Sequence, residues 1–136
     1  MKQKKVLPLD QYHWVFLFLV LLTLSFSVPA DWIKLGSRSV SFKTDWDEIF
    51  VTGHKGTFNS IKLSVEKSAV HFDRVIVFYR NQTKEAIQIR NNIPAGGETR
   101  SINLSGSDRV IRKVVFYYQT QIDESKKAKV TLYGKR

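Results

Sequence analysis

The chain has 136 residues, 43% of them hydrophobic and 25% charged, with 22 Lys and Arg against 12 Asp and Glu for a formal charge of +10. That length holds one domain, and that composition excludes a wholly disordered chain. The absence of cysteine excludes disulfides, a thiolate zinc site, a cysteine nucleophile and a lipidated N-terminal cysteine, while the basic excess favours anionic partners.

Lys2, Lys4 and Lys5 precede an uncharged run over residues 11–30, densest in apolar side chains from Trp14 to Leu24. A basic start, an apolar middle and a small-residue end at Val28 and Ala30 are the three parts of a secretory signal cleaved before Asp31. The whole run also approaches the roughly 20 residues of a membrane-spanning helix. Residues 1–30 are therefore expected to form one hydrophobic helix, either a signal peptide or an N-terminal membrane anchor. The lysines on its near side place residues 31–136 outside the cytoplasm in both cases. That remaining part holds 19 basic and 11 acidic side chains, a formal +8.

From Trp32 onward the apolar period is two. Trp32–Leu35, Ser37–Lys43 and Glu48–Val51 read as three short strands, divided by Gly36 and by Thr44-Asp45. Phe58–Glu66 puts Ile61, Leu63 and Val65 on one face and Lys62, Ser64 and Glu66 on the other, the alternation of a half-buried antiparallel strand. Val70–Arg80 is apolar on both faces, which predicts a central strand with a bulge near Asp73-Arg74. Asn81–Lys84 is a turn. Glu85–Arg90 directs Ile87 and Ile89 inward, and residues 91–97 break the pattern. Thr99–Leu104 is a short strand, Ser105–Asp108 a turn, and Arg109–Thr120 a long β-branched and aromatic run suited to a central strand. Asp123–Lys126 is a polar hairpin loop. The last strand buries Ala128, Val130 and Leu132 and turns Lys129 and Thr131 outward. About eight strands at this spacing, with no helical period, predict an all-β domain: an antiparallel β-sandwich, with a small β-barrel as second choice.

Several ordered pieces carry a resemblance. They are Trp32-x-x-Leu35-Gly36, Asp47-x-Ile49-x-Val51 and Gly56-x-Phe58-x-x-Ile61-x-Leu63. Next come Ile93-x-Ala95-Gly96-x-x-x-Arg100-x-Ile102-x-Leu104-x-Gly106 and Arg109-Val110-Ile111-x-Lys113-Val114-x-Phe116-x-Tyr118, closed by Val130-x-Leu132-x-Gly134. Across residues 32–134 the sequence resembles a family of small bacterial exported proteins classed as a domain of unknown function. The resemblance implies an envelope or periplasmic β-sandwich and supplies no catalytic residue.

The candidate constellations are few. Asp45, Asp47 and Glu48, with Asp73, could pair as hydrolytic carboxylates or hold calcium, or could simply be solvated turn acids. His54 and His71 lack the second element of a triad or metal site. The loop from Ile93 to Arg100 could cradle an anion with its N–H groups and Arg100. Lys62, Arg90, Arg100, Arg109, Arg112 and Lys129 are the candidate anion-binding residues, because arginine forks and outward lysines suit carboxylate and phosphate. Outward lysines also guard sheet edges.

These observations point to a non-catalytic binding or interaction module of the bacterial envelope. Its basic surface would meet a lipid headgroup, an acidic polysaccharide or another envelope protein. Export argues against nucleic acid, and no cofactor is implied. A carboxylate-dependent envelope hydrolase and a membrane-anchored assembly protein are the alternatives.

Overall fold

The computed structural model describes residues 31–40, 45–52, 55–120 and 127–136. The expected N-terminal helix, its roles as signal or anchor, His54 and the loop over 123–126 lie outside the described residues.

Eight strands are present: β1 (Trp32–Val40), β2 (Asp45–Phe50), β3 (Ser60–Glu66), β4 (Val70–Tyr79), β5 (Lys84–Ile93), β6 (Ile102–Asn103), β7 (Ile111–Thr120) and β8 (Ala128–Lys135). They form two four-stranded antiparallel sheets, in the orders β1-β8-β3-β6 and β2-β7-β4-β5, and neither closes into a barrel. The core lies between the inward residues of both sheets. Ile61, Leu63 and Val65 of β3 and Val130 and Leu132 of β8 meet Val75 and Val77 of β4 and Val114 and Phe116 of β7. Phe72 and Phe116 pack edge to face with ring centroids 6.0 Å apart, the arrangement their quadrupoles favour. As their two apolar faces predict, β4 and β7 are the interior strands of their sheet.

The strands at Phe58, Thr99 and Arg109 are shorter than expected, the second reduced to Ile102–Asn103, and three further boundaries differ in ways that move side chains. Gly36 does not divide the first segment. β1 runs through it, because the extra residue Leu35 bulges against β8 and turns its side chain into the core. The sequence reading starts β2 too late: it begins at Asp45, so Asp45-Trp46-Asp47 is strand and not turn. The β5 strand continues through Asn91-Asn92 to Ile93, because bonding to β4 outweighs the poor strand propensity of asparagine. Thr131 is also corrected. It faces outward as expected, between Ser37 of β1 and Ser64 of β3, yet is only 3% exposed because the strands on both sides cover it.

Two irregularities on β4 matter for function. Phe72 pairs with Tyr118 and Arg74 with Tyr117, leaving Asp73 as an extra residue against β7. On the other side Phe72 pairs with Asn91 and Arg74 with Gln88, so Ile89 and Arg90 together oppose Asp73, with Arg90 in the left-handed region at φ 47. At the far end Phe78 pairs with Lys113 and Tyr79 with Ile111, which makes Arg112 an extra residue of β7. Bulges of this kind re-aim side chains. Here they do so to Asp73 at one end of the sheet and to Arg112 at the other.

Candidate functional site

The outward positions of the β2-β7-β4-β5 sheet fall into three rows set by register. The first is Trp46, Tyr117, Arg74 and Gln88. The second is Glu48, Val115, Ile76 and Ala86. The third is Phe50, Lys113, Phe78 and Lys84. Outward strand positions facing water are ordinarily polar, whereas this face mixes charged side chains with aromatic and aliphatic ones. Trp46 is 53% exposed and Phe50 59% exposed, the large hydrophobic side chains left open to solvent among the described residues.

Cations cover the rings of the third row. Lys113 Nζ lies 4.9 Å from the centroid of Phe78 and 5.4 Å from that of Phe50. Arg112, turned out by its bulge, lies 5.6 Å from the Phe78 centroid, and Lys84 lies 5.7 Å from it. Three positive charges thus surround one ring. Lys113 is bonded to Glu48 at 3.1 Å, whereas Arg112 and Lys84 make no ion pair with a described carboxylate. A ring attracts each cation modestly and does not neutralise it, so this end of the face carries a local excess of positive charge.

The opposite end is different. The guanidinium of Arg74 lies 4.0 Å from the Tyr117 ring centroid and 3.7 Å from Asp73. Beside them is a pocket of about 300 Å³ lined by Asp45, Trp46, Asp73, Tyr117, Tyr118 and Gln119. Asp45 accepts the backbone N–H of Trp46 at 2.8 Å.

Of the acids singled out in the sequence, Asp45 and Asp73 share that pocket. Asp47 is turned to the sandwich edge, where one oxygen takes Arg38 at 3.1 Å and the other takes the Tyr118 hydroxyl at 3.1 Å. Asp47 is not among the residues that line the pocket. Among the described residues no three His, Asp or Glu side chains gather closely enough to hold a metal ion. His71 stands on an outward position of β4 opposite Asn92 and Gln119.

The six candidate anion-binding residues occupy several places. Arg112 belongs to the aromatic face just described. Lys62 and Lys129 lie on the outer side of the other sheet. Lys62 is held between the Trp32 ring at 4.3 Å and Glu98 at 3.2 Å, and Lys129 is opposite Ser39 and Glu66. Arg90 is exposed on the β5 bulge. Arg100 donates to the Gln88 carbonyl at 2.8 Å. Arg109 stacks 3.6 Å from the Tyr79 ring centroid and donates to the Ser105 carbonyl and the Thr83 hydroxyl. The loop over residues 93–100, which could cradle an anion or simply connect strands, has its N–H groups engaged. Those of Gly96 and Thr99 bond to the carbonyls of Val65 and Leu63, which straps the loop to β3, and that of Gly97 bonds to the Pro94 carbonyl within it.

Arg109 is part of a network under the face. The Glu85 carboxylate accepts the Tyr79 hydroxyl, the Ser105 N–H at 2.9 Å and the Ser105 hydroxyl at 2.7 Å. Burial alone would raise the Glu85 pKa. The bonds from Tyr79 and Ser105 and the charge of Arg109 more than reverse this and hold it below the ordinary value. Burial, and then the neighbouring carboxylate, push the Tyr79 phenol well above its ordinary value. This network ties β4, β5 and the 105–109 loop together beneath Phe78 and Lys84.

A family model matches residues 14–134. The chain belongs to that family, a domain of unknown function (DUF2541). No curated protein matches the sequence significantly. Among solved structures, AlgX of Pseudomonas aeruginosa is 12% identical over 76% of this chain and 27% of its own, with a TM-score of 0.46. A family 29 carbohydrate binding module from Piromyces equi is 11% identical over 79% of this chain and 83% of its own, with a TM-score of 0.40. This DUF2541 chain spans about a quarter of the AlgX chain, and likenesses this distant transfer no residue roles.

Proposed function

We propose that this protein is a non-catalytic binding module, exported from the cytoplasm, that holds an acidic polysaccharide across the outer face of β2-β7-β4-β5. The observation that carries the proposal is the third row with its bulge residue: Phe50 and Phe78 alternate with Lys113 and Lys84, and Arg112 joins them. The exposed ring of Phe50 offers flat apolar surface to the C–H face of a sugar, and the cations gathered on Phe78 offer charge to carboxylate or phosphate groups. The overall positive charge supports attraction of such a polymer from a distance.

Four strands about 4.8 Å apart give the face a width on the order of 15 Å, broad enough for a chain to cross. Rigid sheet positions cost less entropy to order than loop side chains. Titration of the domain with a polyuronate, followed by calorimetry at rising salt, tests the proposal. Binding should weaken steeply between low and physiological ionic strength, and Lys84→Ala with Arg112→Ala should remove most of it. Absence of binding at low ionic strength, or binding indifferent to both substitutions, would overturn it.

A further inference from the structure

The two ends of the face have opposite electrostatic character, and this restricts the polymer further. At the third row Lys84, Arg112 and Lys113 surround Phe78 with Glu48 as the one carboxylate bonded among them. At the first row the pocket contains Asp45 and Asp73, and among the described residues Arg74 is the cation paired with them, through Asp73. Both carboxylates are acceptors only, and Gln119 adds an amide. The walls are Trp46 and Tyr117. Such a pocket matches a ring with apolar C–H faces and hydrogen-bond donors around its rim. It repels a second acid, since an anion there would face unpaired like charge.

Resting on the polysaccharide reading, we infer that the face recognises a heteropolymer in which an acidic sugar alternates with a donor-rich sugar bearing no acid. The acidic unit binds at the Phe78 end, and the other seats between Trp46 and Tyr117. The two sites lie four residues apart along β7, from Lys113 to Tyr117, or about 13 Å at strand rise. A single sugar ring cannot reach both, so the ligand must extend. Asp73 is the extra residue of β4 at this end of the sheet and lines the pocket with Trp46 and Tyr117.

The experiment compares three soluble polymers on the full domain: a homopolyuronate, a polymer alternating uronate with an N-acetylated amino sugar, and one alternating uronate with a neutral hexose. Either alternating polymer should bind about tenfold more tightly than the homopolymer, the worth of one hydrogen bond to a charged acceptor. The more tightly held of the two identifies the donor as amide or hydroxyl. Asp45→Asn with Asp73→Asn should invert this preference, weakening the alternating polymers and strengthening the homopolymer as the repulsion disappears. Trp46→Ala should weaken the alternating polymers alone. Both variants change exposed or rim positions, and an unchanged melting temperature verifies their fold. Homopolymer binding equal to that of the alternating polymers, and unmoved by the double Asn variant, would overturn this inference while leaving the polysaccharide reading intact. Failure of all three polymers to bind at low salt would overturn the polysaccharide reading itself.

Discussion

Gly134 offers the sharpest test of the packing described above. It lies on an inward position of β8, with Ile33 on one side and Ile61 on the other. A methyl group placed there would stand 2.7 Å from Cδ1 of Phe58 and 2.9 Å from Cδ1 of Leu35, whereas carbon atoms in contact prefer about 3.5–4.0 Å. The overlap is thus on the order of 1 Å against two neighbours at once. Neither can retreat: Phe58 is fully buried and Leu35 is 5% exposed. The β8 backbone cannot move away either, being bonded to β1 and β3 on its two edges. Overpacking of this kind costs about 1–3 kcal/mol. For a domain of roughly 100 residues that is a fall in melting temperature of about 5–20 °C. Gly134→Ala should lower the urea midpoint with an unchanged m-value. Adding Phe58→Leu should recover part of the loss, with a coupling of at least about 0.5 kcal/mol. A Gly134→Ala protein as stable as the parent, or strictly additive losses in the double variant, would refute the reasoning.

Phe116→Ala should cost about 3–5 kcal/mol in the same urea assay, because it empties a fully buried site against Phe72 and Tyr118; a loss under 1 kcal/mol would contradict the packing. Since the Glu85 pKa is held below the ordinary 4.5 in the folded state, its contribution is present above that value and lost as pH falls through the folded one. Glu85→Gln should therefore be less stable than the parent at pH 7, and the difference should narrow as urea melts are repeated below pH 4.5; a constant gap would exclude the network as its source. Arg109→Ala should destabilise by about 1–2 kcal/mol, through loss of the stack on Tyr79 and the bonds to Ser105 and Thr83, without weakening polysaccharide binding. Arg112→Glu should leave the melting temperature within about 2 °C of the parent and abolish binding to polyuronate, as followed by affinity electrophoresis.

The fold was largely legible because the apolar alternation is strong where it counts. Ile61, Leu63 and Val65, and again Val130 and Leu132, declare one inward face each, and the two-sided apolarity of β4 and β7 declares them central. Even the bulge near Asp73 was readable, since the alternation before it does not continue in step after it. The outer aromatic and basic face of β2-β7-β4-β5 was not legible. Asp45-Trp46-Asp47-Glu48 has the composition of a solvated turn, and three acids around one tryptophan conceal a strand whose inward side sits at a sandwich edge. There Asp47 can face Arg38 and the Tyr118 hydroxyl in place of a dry core. The available signal was the spacing of Trp46, Glu48 and Phe50 against Ile49 and Val51. Rows such as Phe50, Lys113, Phe78 and Lys84 come from three separate stretches of chain, and only the register aligns them. Arg100 and Arg109 show the converse. Their positions beside turns suit an anion site, yet carbonyls within hydrogen-bonding reach engage their guanidinium groups.

The pairing of the first and last strands has a mechanical consequence. Trp32 opposes Lys135, and Val40 opposes Ala128, so the chain enters and leaves the sandwich at the same corner. The bonds of an antiparallel pair run across the strands, and a pull applied to both ends loads them one after another, opening β1 from β8 as a zipper at low force. A load carried through one end and the outer face of β2-β7-β4-β5 instead passes through the core packed between the two sheets. The same proximity means that a short linker could join Arg136 to Asp31, and a circular permutant opened at the exposed Asn81–Thr83 turn should keep the sandwich.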